Sequence, residues 1–127
     1  MALTVSLVTT NEGLNCDMLQ LKGVNDGSAA ASAIYIGFVP RKIDVFNITD
    51  GIRSEYTPNN TAGTSWNTAA NGTVTVAAAN GFTMLPAATV TTTVTATGSP
   101  ASAGAAGFQL STGILIASKT YDIYCWR

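Results

Sequence analysis

The 127-residue chain is expected to form an all-β fold, an antiparallel β-sandwich or barrel-like single domain with long Ala/Thr/Gly-rich loops, and three observations predict it. Apolar and polar residues alternate with period two wherever β-branched and aromatic residues concentrate, which is the pattern of a half-buried strand. Asp50-Gly51, Asn71-Gly72 and Asn80-Gly81 mark turns beside these runs. No heptad or solenoid period appears, and roughly eight to ten short strands separated by turns favour a sandwich or barrel over an α/β layout.

The elements follow in order. Leu3-Thr4-Val5-Ser6-Leu7 alternates cleanly, and Asp17-Met18-Leu19-Gln20-Leu21-Lys22 places Leu19 and Leu21 on one face before ending at Gly23. Residues 24–33, rich in Gly, Ser and Ala, read as a loop or a short helix. Ile34-Tyr35-Ile36-Gly37-Phe38 is an apolar strand closed by Pro40, which lacks a backbone donor. Lys42-Ile43-Asp44-Val45-Phe46-Asn47-Ile48 and Ile52-Arg53-Ser54-Glu55-Tyr56 flank Thr49-Asp50-Gly51, and together they predict a hairpin over residues 42–57. Residues 58–70 read as an irregular excursion in which Trp66 stands alone. Thr73-Val74-Thr75-Val76 and Phe82-Thr83-Met84-Leu85 suggest a second hairpin, residues 89–96 a further alternating strand, and residues 98–107 a small-residue loop. Phe108-Gln109-Leu110, Ile114-Leu115-Ile116 and the aromatic run 119–127 complete the set.

Length and composition bound what such a domain does. One domain spanning 1–127 is enough to bury a continuous core. Charged residues make up 10% of the chain, against about 25% in ordinary soluble proteins. Little like-charge repulsion opposes contact between copies, so the composition points to an assembled state. Net charge is −1 and the six basic residues are scattered, which leaves no footprint for a phosphate backbone and makes nucleic acid an unexpected partner. The apolar run near residues 29–39 is too short to cross a bilayer and is interrupted by Ser32, Gly37 and Pro40. Met1-Ala2-Leu3-Thr4-Val5 carries no basic leader, so a mature cytosolic start is expected. Cys16 and Cys125 are too few for a disulfide framework and read as reduced, buried thiols. The triplets at Asn47, Asn59 and Asn71 are expected to stay unmodified.

Chemistry has few places to reside. Histidine is absent, which removes the commonest general base and the commonest metal ligand together. No C-x-x-C pair, P-loop or G-x-G-x-x-G turn is present, so no cofactor, metal or catalytic residue is assigned. Glu12, Asp17, Asp44, Asp50, Glu55 and Asp122 leave a carboxylate pair for glycoside cleavage as a formal option. Each also reads as strand-face or turn polarity, and Asp50 most simply caps its own turn. Asp17 and Asp26 lack the loop pattern of a calcium site. Arg53 and Glu55 share a strand face and can pair with each other or with a partner. Trp66 is a sugar platform, an intersubunit anchor or a ring folded back onto the core. In the closing strand, Tyr121, Ile123 and Cys125 alternate with Tyr124 and Trp126, so both faces need cover. The candidate interface residues are therefore Arg53, Glu55, Tyr56, Trp66, Tyr124 and Trp126.

The stretch Gly37-Phe38-Val39-Pro40-Arg41-Lys42-Ile43-Asp44-Val45-Phe46-Asn47 with Thr49-Asp50-Gly51 resembles the central hairpin of small virion proteins of tailed bacteriophages and prophages. The ending Ala117-Ser118-Lys119-Thr120-Tyr121-Asp122-Ile123-Tyr124-Cys125-Trp126-Arg127 resembles their closing aromatic strand. The resemblance implies a capsid decoration, or cement, protein: a non-enzymatic β-sandwich made in the bacterial host cytoplasm and carried on the outer capsid surface of the virion. Its implied partners are the major capsid protein lattice and its own copies, as a homotrimer. The alternatives are a carbohydrate- or receptor-binding module of a phage tail or head fibre, with Trp66 and Tyr56 as stacking rings, and an accessory domain of a cell-wall hydrolase using two of the acids.

Overall fold

Ten strands follow one another among the described residues: β1 (Leu3–Thr10), β2 (Met18–Asn25), β3 (Ser32–Tyr35), β4 (Lys42–Asn47), β5 (Ile52–Tyr56), β6 (Ser65–Thr68), β7 (Val74–Ala77), β8 (Phe82–Leu85), β9 (Gly107–Leu110) and β10 (Lys119–Trp126). The computed structural model describes residues 3–10, 18–25, 27, 31–60, 63–77, 81–86, 106–116 and 118–127. No helix occurs among them. Seven strands form one antiparallel sheet in the order β1-β2-β10-β4-β5-β6-β7, and three form a second in the order β3-β9-β8. The sheets pack face to face as a β-sandwich, and the larger one stays open between β1 and β7 instead of closing into a barrel.

Alternation explains how the core forms. Leu19 and Leu21 of β2, Ile43 and Val45 of β4, and Tyr121, Ile123 and Cys125 of β10 point to one face of the large sheet and are buried. Ile34, Phe82, Phe108 and Leu110 meet them from the small sheet. Ile114 and Leu115 close one side of the same cluster from the turn after β9. Burying a side chain of this size contributes about 1.5–3 kcal/mol, so these rows dominate the stability of the sandwich.

Two glycines shape the strands. Gly51 ends the β4–β5 loop at φ 73°, a conformation that costs other residues their Cβ clearance. Its amide donates to the Asn47 carbonyl at 2.8 Å. Gly107 lies where β9 passes β3 so closely that a Cβ would run into the Ile34 carbonyl oxygen.

The turn of that hairpin is capped by Asn47 and not by Asp50. The Asn47 side chain accepts from the Asp50 amide and donates to its carboxylate, both at 3.0 Å. The freed Asp50 oxygen instead accepts from Lys119 Nζ at 3.0 Å, tying the hairpin to the start of β10. That hydrogen bond is the main cause holding the Asp50 carboxyl below its ordinary range, with Asn47 assisting.

Several expectations are corrected. The second strand does not stop at Gly23 but runs to Asn25, because Gly23 lies opposite Val5 and Tyr121 in regular pairing. The excursion at 58–70 contains β6, which pairs with β5 and β7. The turn at Asn71-Gly72 therefore joins β6 to β7, whereas Phe82–Leu85 pairs with β9 in the other sheet. Ile114-Leu115-Ile116 is a turn, held by hydrogen bonds from Ile114 and Leu115 amides to the Ser111 carbonyl, both at 3.1 Å. The alternating segment 89–96 and the loop 98–105 lie outside the described residues.

Candidate functional site

The face of the large sheet turned away from the small sheet carries most of the candidate residues. Residues paired across antiparallel strands share a face, so the register defines this outer surface row by row. One row runs Gln20, Tyr124, Asp44, Glu55, Trp66, Val76. The next runs Lys22, Asp122, Phe46, Arg53, Thr68, Val74, and a shorter third one Met18, Trp126, Lys42. The alternation that buries Ile43 and Val45 thus delivers Lys42, Asp44 and Phe46 outward.

Three aromatic side chains of this face form one cluster. Phe46 meets Tyr124 edge-on, with ring centroids 5.7 Å apart, and Tyr124 stacks beside Trp126 at 6.2 Å and 27°. Such contacts add about 0.5–1.5 kcal/mol beyond burial and fix the rings in place. Cations cover two of them: Lys42 Nζ lies 5.0 Å from the Trp126 centroid and the Arg53 guanidinium 5.2 Å from that of Phe46. Gln20 Nε2 donates to the Tyr124 hydroxyl at 3.3 Å.

Asp44 sits at the centre of the cluster with only 7% of its side chain exposed. Its Oδ2 accepts from Arg53 Nη2 at 3.3 Å and lies 3.8 Å from Lys42 Nζ. Its Oδ1 is buried and accepts no hydrogen bond. Arg53 also places Nε 3.2 Å from Glu55 Oε1, but the N–H is not aimed at that oxygen, so the contact is an ion pair without a hydrogen bond. Together Met18, Asp44, Phe46, Tyr124 and Trp126 line a shallow, open cleft of about 360 Å³.

Five of the six candidate interface residues, Arg53, Glu55, Trp66, Tyr124 and Trp126, lie on this outer face. Tyr56 does not. It pairs with Ile43 on the core side and packs against Phe82 with centroids 5.9 Å apart, so it cannot share a ligand with Trp66. In the sequence Asp44 is one acid among six, and Phe46 is not among the candidate interface residues. The available signal was an aromatic residue at a position whose alternation with Ile43 and Val45 put it outside the core.

Other sites offer less. Asp44 and Glu55 are direct cross-strand partners, yet both are held by the same Arg53. A second cavity of about 100 Å³ lies inside the sandwich between Asn47, Ser54, Asn67, Tyr121 and Ile114, a space for a few waters. The Cys125 thiol is buried, and burial pushes its ionisation well above the usual range, which suits an inert core thiol. Glu12, Cys16, Asp17 and Asp26 lie outside the described residues. Among the described residues no three Cys, Asp or Glu side chains come together as metal ligands, and no helix is long and apolar enough to cross a membrane. No family model, no curated protein and no solved structure matches the chain.

Proposed function

We propose that this chain is a structural module of a bacteriophage particle, a non-catalytic capsid decoration protein that binds the outer surface of the major capsid protein lattice and stabilises the head. The observation that carries the reading is the meeting of the two phage-like stretches. Separated by about half of the chain, they become β4 with the turn that follows it and β10, two adjacent strands at the centre of the large sheet. A resemblance spread over random surface segments would not be expected to converge on one hydrogen-bonded unit. The exposed apolar residues support a surface role as well: Trp66, Val74 and Val76 are 49%, 52% and 60% exposed on the terminal hairpin of that sheet.

Many copies on a lattice gain avidity without strong individual contacts, so a small module suffices. Particles assembled without the protein should form with normal dimensions but release their DNA at a lower temperature, and adding purified protein back should restore the wild-type release temperature. Failure of the shell to assemble at all would replace this reading with a principal capsid or scaffold role.

A further inference from the structure

The Asp44 cleft combines two features that the core and the hairpins do not need. One is an acceptor, Asp44 Oδ1, removed from water and given no partner in return, a state that is unfavourable for any polar group and more so for a charged one. The other is a group of aromatic rings held by their neighbours on an outward surface, where they are only partly covered. A ligand that donates a hydrogen bond and presents an apolar face would satisfy both.

Charge narrows the class. The outer face carries Lys22, Lys42 and Arg53 against Asp44, Glu55 and Asp122, three of each sign, so its fixed charges cancel. An anionic or cationic ligand would gain little from such a surface, whereas a neutral polyhydroxylated one is favoured by stacking and hydrogen bonding alone. The row containing Asp44 supplies the length. It leads from Tyr124 through Asp44 and Glu55 to the exposed ring of Trp66. Three inter-strand steps separate the two aromatic ends by about 14 Å, a span suited to a short run of sugar rings and too long for a single one.

We infer that the outer face of the large sheet is a binding site for a neutral glycan chain, which crosses the strands from the Tyr124–Trp126 pair to Trp66 and donates a hydroxyl hydrogen bond to Asp44. The sugar's C–H faces lie on the rings at either end, and Arg53 and Glu55 meet hydroxyl groups between them. The inference stands apart from the capsid reading: it concerns a ligand of the isolated protein, wherever the protein resides.

The test uses the purified full chain on an array of neutral and acidic bacterial polysaccharides, followed by calorimetric titration with neutral hexasaccharides from the strongest binder. Binding of a neutral glycan is expected, with quenching or shift of tryptophan fluorescence and an affinity unchanged between 50 mM and about 500 mM salt, where charge pairing would be screened. Trp66→Ala and Trp126→Ala should each weaken it about tenfold or more. Asp44→Asn should weaken it while Tyr56→Phe, on the opposite face, leaves it unchanged. Should Asp44→Asn fail to fold, the two tryptophan variants carry the test, since both side chains lie outside the core. Absence of binding to every neutral glycan at millimolar concentration would overturn the inference. So would preference for acidic glycans with a strong salt dependence, or binding that survives both tryptophan substitutions.

Discussion

Tyr121 shows how one side chain joins a strand to the segment that precedes it. Its ring is fully buried beneath the large sheet, and its hydroxyl donates to the Ile114 carbonyl at 2.9 Å while accepting from the Ile116 amide at 2.7 Å. Asn25 secures the same turn from β2 by donating to the Ile116 carbonyl at 3.0 Å. Tyr121→Phe keeps the ring but removes the hydroxyl's hydrogen bonds to the turn, leaving the Ile116 amide its 3.1 Å bond to the Ile114 carbonyl, so a loss of about 0.5–1.5 kcal/mol is expected in urea unfolding. Burial pushes the Tyr121 hydroxyl from its ordinary 10.0 up to about 12. The native fold therefore holds this proton more tightly than the unfolded chain does. The stability linked to it is complete below pH 10 and is lost as pH rises from there toward about 12. The wild-type advantage over Tyr121→Phe should accordingly be constant from pH 7 to 9 and shrink above pH 10. An advantage that stays flat to pH 12 would show that the hydroxyl is not held neutral by the fold.

At the scale of elements, the small sheet depends on close backbone approach. β9 is its central strand, and Gly107 faces both Tyr35 on β3 and Leu85 on β8. Gly107→Ala forces a methyl group toward the Ile34 carbonyl oxygen, and the strands must separate or shift register. Overpacking of this kind costs about 1–3 kcal/mol. The expected result is a lower urea midpoint with an unchanged slope, the signature of lost stability without a change in exposed area. An unaltered midpoint would mean that β3 and β9 yield freely at this point. β10 behaves differently from a fraying terminus, because β2 and β4 pair with it along nearly its whole length. Its core-facing residues are fixed by burial, and its outward residues are supported by Phe46, Gln20 and Lys42 on the same face. Cover for Tyr124 and Trp126 thus comes partly from neighbouring side chains.

For the whole molecule, the open edges of the large sheet matter most. β7 is one edge, and its sequence Val74-Thr75-Val76-Ala77 has neither proline nor lysine to discourage pairing with another chain. Symmetric self-association is the expected consequence. The choice of a trimer over a dimer rests on the phage resemblance, since general frequency favours dimers. Light scattering at micromolar concentration should report three copies, and Val76→Lys should return the protein to a monomer with an unchanged fold. A wild-type monomer throughout that range would count against edge-mediated assembly, and a trimer insensitive to Val76→Lys would place the contact elsewhere.

Much of the sandwich was legible in the sequence because alternation acts locally. Period two alone groups Leu19 with Leu21 in β2, and Tyr121 with Ile123 and Cys125 in β10, and the structure buries both groups. Asp50-Gly51 likewise located its hairpin, since the requirement for positive φ belongs to the residue itself. The short strand β6 carries no local strand signal because Ser65-Trp66-Asn67-Thr68 has no apolar alternation, and its conformation is secured by pairing on both sides. Partner choice was also beyond local reading: β8 leaves β7 for β9, and β10 inserts between β2 and β4. The sequence by itself therefore determined an all-β fold, the residues that share a face within β2 and within β10, and the lack of histidine chemistry. Only the tertiary structure decided that Asp44, Phe46, Tyr124 and Trp126 share one cleft while Tyr56 turns to the core. Period two assigns each residue to a side of its own strand, but which sides coincide depends on long-range register, and register is settled by burial across the whole sheet.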